Sequence, residues 1–547
     1  MSAAAGSAPA PEPARTPGWA RSLALLPLTP GWGALCARDP DLDLATAAAV
    51  LEEGARFAAG RIAPLNAPSD RIGCTLEGGR VRTPPGFADV YAEMGRDGWL
   101  GIDLPANLGG QGLPLVLHAA ASVGFDGAAM AFMMASGSSR AAAHMLVQVA
   151  PDLAAEWVPR LAAGDWAATI CISEPDAGSD VGRIRTRAER GPDGCWRVTG
   201  TKCWISFGDH DMAGRIGHCL LARTGPGIGT RGLSLFLVAD QLDDGRRNRI
   251  SVTRLEEKMG LHGSPTCVMA FDSAEAILLG EEGRGLPQLF AMIERMRLQT
   301  ACQGLGIAET ALDIARAYAE TRLQGGDPAA PPLPILRHVD VRRQLLAIAA
   351  PTEALRALIL ELATMDDPAL AGFLLPLAKN FGAETAFAAA SGAMQVLGGA
   401  GYTREWPVEQ LLRDSRVIAI YEGTTGMQAQ DFLLRRLLRD RGAALAAFRA
   451  RALPEIARAD PAARSTAETV IARFIALSER LLADDAGAER AADGYLRAGW
   501  HAVCAWMACR LVSAEDADLN AAGRFLLHVL PARMAEAENL CTLPDWI

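Results

Sequence analysis

The amino-acid sequence predicts an α+β protein with a helical N-terminal domain, a middle β domain, a C-terminal helical bundle and a helical extension. Helical texture begins near residue 44, gives way near residue 169 to short apolar or alternating runs, and returns near residue 286. Helices and strands are therefore segregated along the chain, which argues against a single parallel α/β sheet. The 547 residues are 50% hydrophobic and 21% charged, as in ordinary globular proteins of several domains.

Five segments follow from this pattern. Residues 1–40 are expected to be a disordered or loosely ordered tail, because their first part is rich in Ala, Pro and Ser. Residues 41–166 form the N-terminal helical domain. Residues 167–282 form a small sandwich or barrel, since runs such as GCWRVTGTKCWISFG and GLSLFLVAD are strand-like and are separated by Gly, Pro and Asp. Residues 283–440 form the helical bundle, and 441–547 form an Ala/Arg/Leu-rich extension.

Charge and cysteine content narrow the functional classes. The chain has 53 Lys and Arg against 63 Asp and Glu, a net charge of −10, so we expect no nucleic-acid partner. Its 11 cysteines are scattered without a CxxC pair, which is typical of free thiols in a reducing cytoplasm. No metal-ligand spacing such as HExxH occurs, and no unbroken apolar run reaches the ~18 residues that span a bilayer. We expect a cytoplasmic protein without a metal or a membrane span.

The usual nucleotide and hydrolase motifs are missing. GIGTRG (227–232) fits a GxGxxG pattern, but it leads into a strand and lacks the helix N-terminus that holds a pyrophosphate. The chain contains neither GxxxxGK[ST] nor GxSxG. The sequence therefore disfavours Rossmann and P-loop nucleotide binding and the α/β-hydrolases.

The first distinctive segment is CISEPDAGSD (171–180), in which a strand runs into a Gly/Ser/Asp turn. Ser173 places a hydroxyl at the end of the strand. Gly178 and Ser179 can present backbone N–H groups and a hydroxyl to an anion such as a pyrophosphate. Taken alone, the segment is more typical of a polar β-turn than of a binding site.

The second segment, TGTKCWISFG (199–208), predicts a strand with Trp204 and Ser206 on the same exposed face. A flat aromatic ring beside a hydroxyl suits a planar heteroaromatic ligand, because the ring packs on it while the hydroxyl bonds a ring nitrogen. The alternative is a tryptophan in the core of the β domain.

The third segment spans residues 394–433 and contains MQVLGGAGY followed by RVIAIYEGTTG. Its Glu422 follows an apolar run and precedes a Gly/Thr turn. If Ile418, Ile420 and Tyr421 desolvate this carboxylate, its pKa is raised and it can act as a general base. The alternative is a glutamate near a helix N-terminus that the helix dipole stabilises.

Together, these motifs resemble those of the acyl-CoA dehydrogenase family. PANLGGQG, CISEPDAGSD, TGTKCWIS, EKMGLHGSPT, MQVLGGAGY and IYEGTTGMQ occur in the order typical of that family, over about residues 45–435. The length and the C-terminal extension look most like the branch that contains 3-methylmercaptopropionyl-CoA dehydrogenase. The resemblance implies the family's helix–β–helix fold, an FAD cofactor and α,β-dehydrogenation of an acyl-CoA thioester with a short or modified acyl group.

The resemblance also implies roles for individual residues. Trp204 would flank the isoalloxazine ring and Ser206 would lie near its N5, while a neighbouring subunit would contribute to the adenosine half. The full set implied for FAD is Ile172, Ser173, Ser179, Trp204, Ser206, Arg322, Gln324, Gln395, Gly399 and Thr424. The set implied for the acyl-CoA substrate is Ser179, Arg297 and Gly423.

Glu422 matches the catalytic base of the family, which removes the α-proton while the β-hydride goes to flavin N5. The main-chain N–H of that glutamate and a flavin hydroxyl polarise the thioester carbonyl in the family. Either an electron-transfer flavoprotein or O2 would reoxidise the flavin, and a homodimer or homotetramer is implied. The family's usual aromatic residue after the Arg/Gln helix end is missing, because Gly325 and Gly326 follow Gln324.

Two alternatives remain open from the sequence. The first keeps fold and flavin but is an oxidase or oxygenase that acts on an unusual CoA thioester in secondary metabolism. The second is a DNA-associated flavoprotein without dehydrogenase activity. Because arginines of the extension such as Arg449 and Arg458 are interleaved with Asp and Glu, the extension resembles a mixed solvated face more than a DNA-binding stripe.

Overall fold

The computed structural model describes residues 18–542 except Pro226 and Ile228. The helices are α1 (Gly18–Leu25), α2 (Pro30–Arg38), α3 (Leu44–Phe57), α4 (Ala63–Ile72), α5 (Phe87–Arg96), α6 (Leu115–Val149), α7 (Pro151–Ala162), α8 (Gly285–Thr321), α9 (Val339–Thr364), α10 (Pro368–Leu397), α11 (Val408–Ser415), α12 (Thr425–Gln430), α13 (Ala443–Ile456), α14 (Pro461–Ala483), α15 (Ala492–Val512) and α16 (Ala517–Leu540). The strands are β1 (Thr75–Glu77), β2 (Arg80–Arg82), β3 (Trp166–Cys171), β4 (Arg187–Arg190), β5 (Trp196–Ser206), β6 (Arg215–Arg223), β7 (Leu233–Ala239), β8 (Ile250–Leu255) and β9 (Thr266–Leu279). The predicted α+β class and the order of helices, β domain and helices are confirmed.

The N-terminal segment differs from the expectation. Residues 1–17 of the predicted 1–40 tail lie outside the described residues, but residues 18–38 form α1 and α2, so the tail prediction is wrong there. Leu25 and Trp32 are buried, and the Arg21 guanidinium forms an ion pair with Glu353 at 3.2 Å. Apolar anchors and a buried cation therefore fix this segment to the helical bundle, a tertiary effect that local composition does not reveal.

The β domain is a closed barrel. Strands β6, β4, β5, β9 and β7 pair in that order, and β7 pairs back onto β6. β3 joins β6 as a parallel strand, and β8 pairs with β9. The register between β5 and β9 shifts between Lys202 and Ile205, where Trp204 adopts a φ of 62°. This bulge interrupts the strand at one of the predicted site residues.

The helical core is built around α8, which packs against both α6 and α10. α8 and α10 approach closely at Gly304, where an added Cβ would lie 2.3 Å from the Gly382 carbonyl oxygen. By length and composition α6 could cross a membrane, but 78% of its most apolar window is buried inside the protein. Burial of this kind is typical of a core helix. The crossing of α8 and α10 brings their polar residues to one place, described below.

The C-terminal extension, α13 to α16, packs on α9 and α10. Phe381 stacks on Trp500 with ring centroids 4.8 Å apart, and Phe373 stacks on Phe448 at 5.0 Å. The Arg510 guanidinium donates a hydrogen bond of 2.8 Å to the buried Glu361 carboxylate on α9. Because these aromatic and ionic contacts are buried, the extension is part of the same hydrophobic core as the bundle.

Candidate active site

The backbone around Glu422 has an unusual conformation. Glu422 and Gly423 both lie in the left-handed region, with φ of 53° and 92°. A non-glycine residue in that region is uncommon and stores roughly 1–3 kcal/mol of strain, which other contacts must offset. Thr424 then caps α12, since its hydroxyl accepts a hydrogen bond of 3.5 Å from the Met427 N–H. Glu422 therefore lies at a sharp chain reversal two residues before the helix cap.

Two side chains hold this reversal in place. The Lys379 ammonium, from α10, donates hydrogen bonds to the Ile418 carbonyl at 3.0 Å and to the Gly423 carbonyl at 2.7 Å. The Gln428 amide, from α12, donates to the Glu422 carbonyl at 3.1 Å. The carbonyl groups of Ile418, Glu422 and Gly423 thus accept hydrogen bonds from side chains of α10 and α12. The segment is fixed by the helical core and does not depend on its own hydrogen bonds alone.

The electrostatics of Glu422 favour a general base. Burial raises the pKa of its carboxyl group, and the positive charges of Lys379 and Arg297 oppose that rise. Burial also lowers the pKa of Lys379 to about 8. No residue in the described part of the chain is hydrogen-bonded to the Glu422 carboxylate oxygens, which distinguishes it from the structural carboxylates of this protein. A partly buried carboxylate without a protein partner is available to take a proton.

The source of the desolvation differs in part from the sequence-based expectation. Ile418 is fully buried, as expected, and Tyr421 packs against the helical core. Ile420 is 53% exposed in the single chain, so it does not desolvate Glu422 there and that part of the prediction is wrong. Ile420 follows the 3-10 turn at Arg416–Ala419 as its C-cap residue.

Arg297, on α8, is engaged within the protein. Its Nη1 is 3.0 Å from the Asp431 carboxylate, and its buried Nε has no hydrogen-bond partner in the described residues. The guanidinium contributes a positive charge near Glu422. Its predicted contact with the substrate stays a prediction.

A buried polar wall lies behind Glu422, between α6 and α8. The Tyr421 hydroxyl donates to the Gln303 side-chain carbonyl. The Gln299 amide donates to Asp126 at 2.6 Å, and burial raises the pKa of Asp126 well above its ordinary value. The interior between α6 and α8 beside Tyr421 therefore contains hydrogen-bonding side chains and is not purely apolar.

The structure brings two of the predicted flavin segments together. The Cys203 N–H donates to the Ser173 carbonyl at 3.0 Å, which fixes the end of β3 beside the end of β5. Trp204 is 62% exposed beside this junction and not in the barrel core. Ser206 follows on the same strand end and is half-buried. The side-chain hydroxyls of Ser173 and Ser206 have no partner among the described residues, so both are free to bind a ligand.

The loop that carries Ser179 is fixed by a buried ion pair. Lys202 lies 2.8 Å from the Glu174 carboxylate and also donates to the Ile172 carbonyl at 2.8 Å. Glu174 in turn accepts N–H groups from the 185–186 segment at 2.7 and 3.0 Å. Ser179 and the preceding glycine are exposed beyond this anchor, and an added Cβ at Gly178 would meet only open space.

The remaining predicted residues lie at the ends of α8 and α10. Arg322 and Gln324 are exposed after α8, and Gln395 is exposed in the last turn of α10. Their side chains form no hydrogen bond with any described residue. Gln395 lines an open groove of about 410 Å³ between α9 and α10, and an added Cβ at Gly399 would meet open space. The flavin roles predicted for these residues, and for Thr424 and Gly423, stay predictions.

Lys379 and the polar wall were not among the residues predicted from the sequence. The signal for Lys379 was present, because it is a single lysine within the apolar stretch LLPLAKNFGAETAFAAA of α10. A buried lysine needs specific partners, so such a residue is a candidate functional group. Gln299 and Gln303 are four residues apart on α8, but nothing in their spacing indicates what they face.

Comparison with known proteins identifies the relatives of this chain. Its residues 45–165, 169–274 and 283–438 match the N-terminal, middle and C-terminal domain models of acyl-CoA dehydrogenases. It is 39% identical over 425 residues to 3-methylmercaptopropionyl-CoA dehydrogenase of Ruegeria pomeroyi, covering 74% of this chain and 72% of that protein. It is 36% identical over 441 residues to a broad-specificity linear acyl-CoA dehydrogenase of Mycobacterium tuberculosis, again covering 74% and 72%.

A solved structure extends the likeness to the last helices. The crystal structure of ACDH-11 from Caenorhabditis elegans matches with a TM-score of 0.79 and 20% identity, over 96% of this chain and 93% of that chain. At this identity the match concerns the fold alone, and it includes the C-terminal extension. The resemblance inferred from the motifs is thus confirmed: the chain belongs to the acyl-CoA dehydrogenase family, whose members are FAD-dependent flavoproteins.

Proposed function

We propose that this protein removes an α-proton and a β-hydride from a short or modified acyl-CoA thioester, with Glu422 as the general base. The observation that carries this proposal is the Glu422 carboxylate itself. It lies at a strained chain reversal, burial raises its pKa, and no described residue occupies it as a hydrogen-bond partner. A structural carboxylate would have such partners.

The chain supplies orientation and charge for this chemistry. Glu422 takes the α-proton, whose removal needs a polarised thioester carbonyl. The Glu422 main-chain N–H is free of hydrogen bonds to described residues and can donate to that carbonyl. The hydride of the β-carbon would need an acceptor, and bound FAD would supply that redox chemistry. Burial of Glu422 just before α12 raises the pKa of its carboxyl group and so makes the carboxylate a stronger base.

The β domain fits a flavin. Trp204 offers an exposed indole face, and Ser173 and Ser206 offer unpartnered hydroxyls beside it. Gly178 leaves open space in the neighbouring loop, where an anion or a ring can approach the backbone. Arg322 and Gln395 would serve the adenosine half from a neighbouring subunit, which is why we propose a homodimer or homotetramer.

Two observations support a proposal for the acyl group of the substrate: the name of a relative and the polar side chains beside Tyr421. The relative from Ruegeria pomeroyi acts on 3-methylmercaptopropionyl-CoA by its name. The polar wall of Asp126, Gln299 and Gln303 lies beside Tyr421, next to the proposed base, and polar groups there suit a short or heteroatom-containing acyl group better than a long alkyl chain. We propose 3-methylmercaptopropionyl-CoA as the first candidate, a cytoplasmic location and an electron-transfer flavoprotein as the electron acceptor.

An anaerobic titration of the FAD-loaded protein tests this function. Butyryl-CoA, octanoyl-CoA and 3-methylmercaptopropionyl-CoA are added separately while the flavin absorbance is followed. We expect bleaching with formation of the enoyl-CoA, fastest for the short or sulfur-containing substrate. Air is then admitted: slow reoxidation supports a dehydrogenase, and rapid reoxidation would make the protein an oxidase. A protein that takes up no FAD, or a flavin that no thioester bleaches, would contradict the proposal.

A further inference from the structure

Lys379 is a buried cation whose place in the fold is unlike that of an ordinary structural lysine. It lies on α10, is 0% exposed, and forms no ion pair within the described residues. Its ammonium donates instead to two main-chain carbonyls, those of Ile418 and Gly423. These residues precede and follow Glu422, so one side chain joins both ends of the segment that carries the base.

The geometry of this contact explains how a strained residue is maintained. The φ of 53° at Glu422 is unfavourable for a residue with a Cβ, and the chain would relax if it were free. Two hydrogen bonds from a charged donor, at 3.0 and 2.7 Å, oppose that relaxation. Gln428 adds a third donor, from α12. The contact spans 39 and 44 residues of sequence, so it depends on the packing of α10 against the 416–424 segment.

We propose that Lys379 is a positioning residue for the reaction: by binding the carbonyls of Ile418 and Gly423 it sets the position of the Glu422 carboxylate at the substrate α-carbon. This inference rests on the proposed function, since it assigns Lys379 a role through Glu422. Lys379 does not touch the substrate in this scheme. Its role is to define the distance and the angle over which Glu422 takes the proton.

The charge of Lys379 has a second consequence. The titratable and charged groups that face Glu422 are Lys379 from α10, Arg297 from α8 with its partner Asp431, and the adjacent Tyr421. Burial raises the pKa of Glu422. Of the two cations that oppose this rise, Lys379 has the larger effect on the pKa. Removing the Lys379 charge therefore raises the pKa of Glu422 further. The base would then be protonated, and inactive, up to a higher pH.

The test compares FAD-loaded Lys379→Met and Lys379→Arg with the parent protein. The rate constant of anaerobic flavin bleaching at saturating acyl-CoA is measured across the acid and neutral pH range, together with the dissociation constant of the thioester. Arg451→Met is the matched control, because it removes a cation 2.7 Å from the buried Glu361 that is not among the charges acting on Glu422. Glu422→Gln reports whether bleaching depends on the base at all.

We expect Lys379→Met to lower the rate constant about 100-fold, the effect of displacing a reacting group by roughly 1 Å. The acid limb of the pH–rate profile of Lys379→Met should move to higher pH, while the dissociation constant of the thioester stays nearly unchanged. Lys379→Arg should restore the position of the acid limb but not the rate, because the larger planar guanidinium needs more room than the buried ammonium and would displace the two carbonyls that it binds. Arg451→Met should change neither quantity.

Other outcomes overturn the proposal. A Lys379→Met enzyme that bleaches at the parental rate with the parental pH profile, even if less stable, would make Lys379 purely structural. If Lys379→Met does not fold, a parental rate in Lys379→Arg has the same meaning. If the parent is not bleached, or Glu422→Gln is as fast as the parent, the proposed function has failed and not the role of Lys379 alone.

Discussion

Two buried lysines of this protein have opposite surroundings. Lys202 and Lys379 are both 0% exposed, but Lys202 pairs with the Glu174 carboxylate at 2.8 Å, while Lys379 donates only to carbonyl oxygens. Glu174 also accepts two N–H groups, so the site in the barrel is satisfied throughout. Near Lys379, the Glu422 carboxylate has no such partner. A fully paired ionic site stabilises a loop, whereas an unpaired carboxylate beside a charge is suited to proton transfer.

The sharpest way to test this comparison is to remove the unpaired carboxylate. Glu422→Gln should slow anaerobic flavin bleaching by about 10²–10⁴-fold, the usual contribution of a general base, while the fold and the bound FAD remain. Stopped-flow absorbance gives the rate, and circular dichroism and the flavin spectrum check the fold. Glu479→Gln, an exposed glutamate of α14, is the matched control and should behave as the parent. Equal rates for Glu422→Gln and the parent would refute the assignment.

The paired site should give the opposite result. Lys202→Met leaves Glu174 buried without its cation and should lower the free energy of unfolding by about 3–5 kcal/mol, measured by urea denaturation. The fraction that keeps FAD should bleach at a rate close to that of the parent. Arg246→Met, which removes an exposed ion pair with Asp244, should leave the free energy of unfolding nearly unchanged. A Lys202→Met protein of parental stability would show that this pair does not hold the loop.

The pH dependence sharpens the comparison further. The pKa of Lys379 is lowered to about 8, so its charge is lost as the pH rises through that value. We expect the bleaching rate of the parent to fall several-fold above about pH 8, since a neutral amine is a weaker donor to the two carbonyls. In Lys379→Arg this alkaline limb should disappear, because arginine does not titrate there. An alkaline limb that persists in Lys379→Arg would belong to another group.

The smallest expected effect concerns the helix that follows the base. Thr424→Ala removes the cap of α12 and should lower the free energy of unfolding by about 1 kcal/mol, as measured by denaturant unfolding. Thr424→Ser keeps an oxygen at the cap and should restore most of the loss. If Thr424 also contacts the flavin, as the resemblance implies, Thr424→Ala will release FAD more readily than Thr424→Ser does.

Several candidate site residues could be selected from the sequence because they lie in contiguous motifs. Glu422, Ser173 and Trp204 were each selected from a local pattern, and the structure places Ser173 beside Trp204 at one edge of the barrel. The exposure of Ile420 and the helices within residues 18–38 were not predictable. Both depend on contacts with distant parts of the chain, which neither composition nor periodicity encodes.

The sequence by itself determined the family, the order of helical and β domains, and the glutamate that carries the proposed chemistry. It could do so because several different motifs of a few residues each follow one another, in the order typical of the family, over most of the chain. Only the tertiary structure decided what surrounds that glutamate. The close crossing of α8 and α10 at Gly304 and Gly382 brings these two helices together, and they carry Arg297 and Lys379, the two cations that oppose the rise in the pKa of Glu422. Burial and charge act through space, so the reactivity of Glu422 is a property of the folded chain.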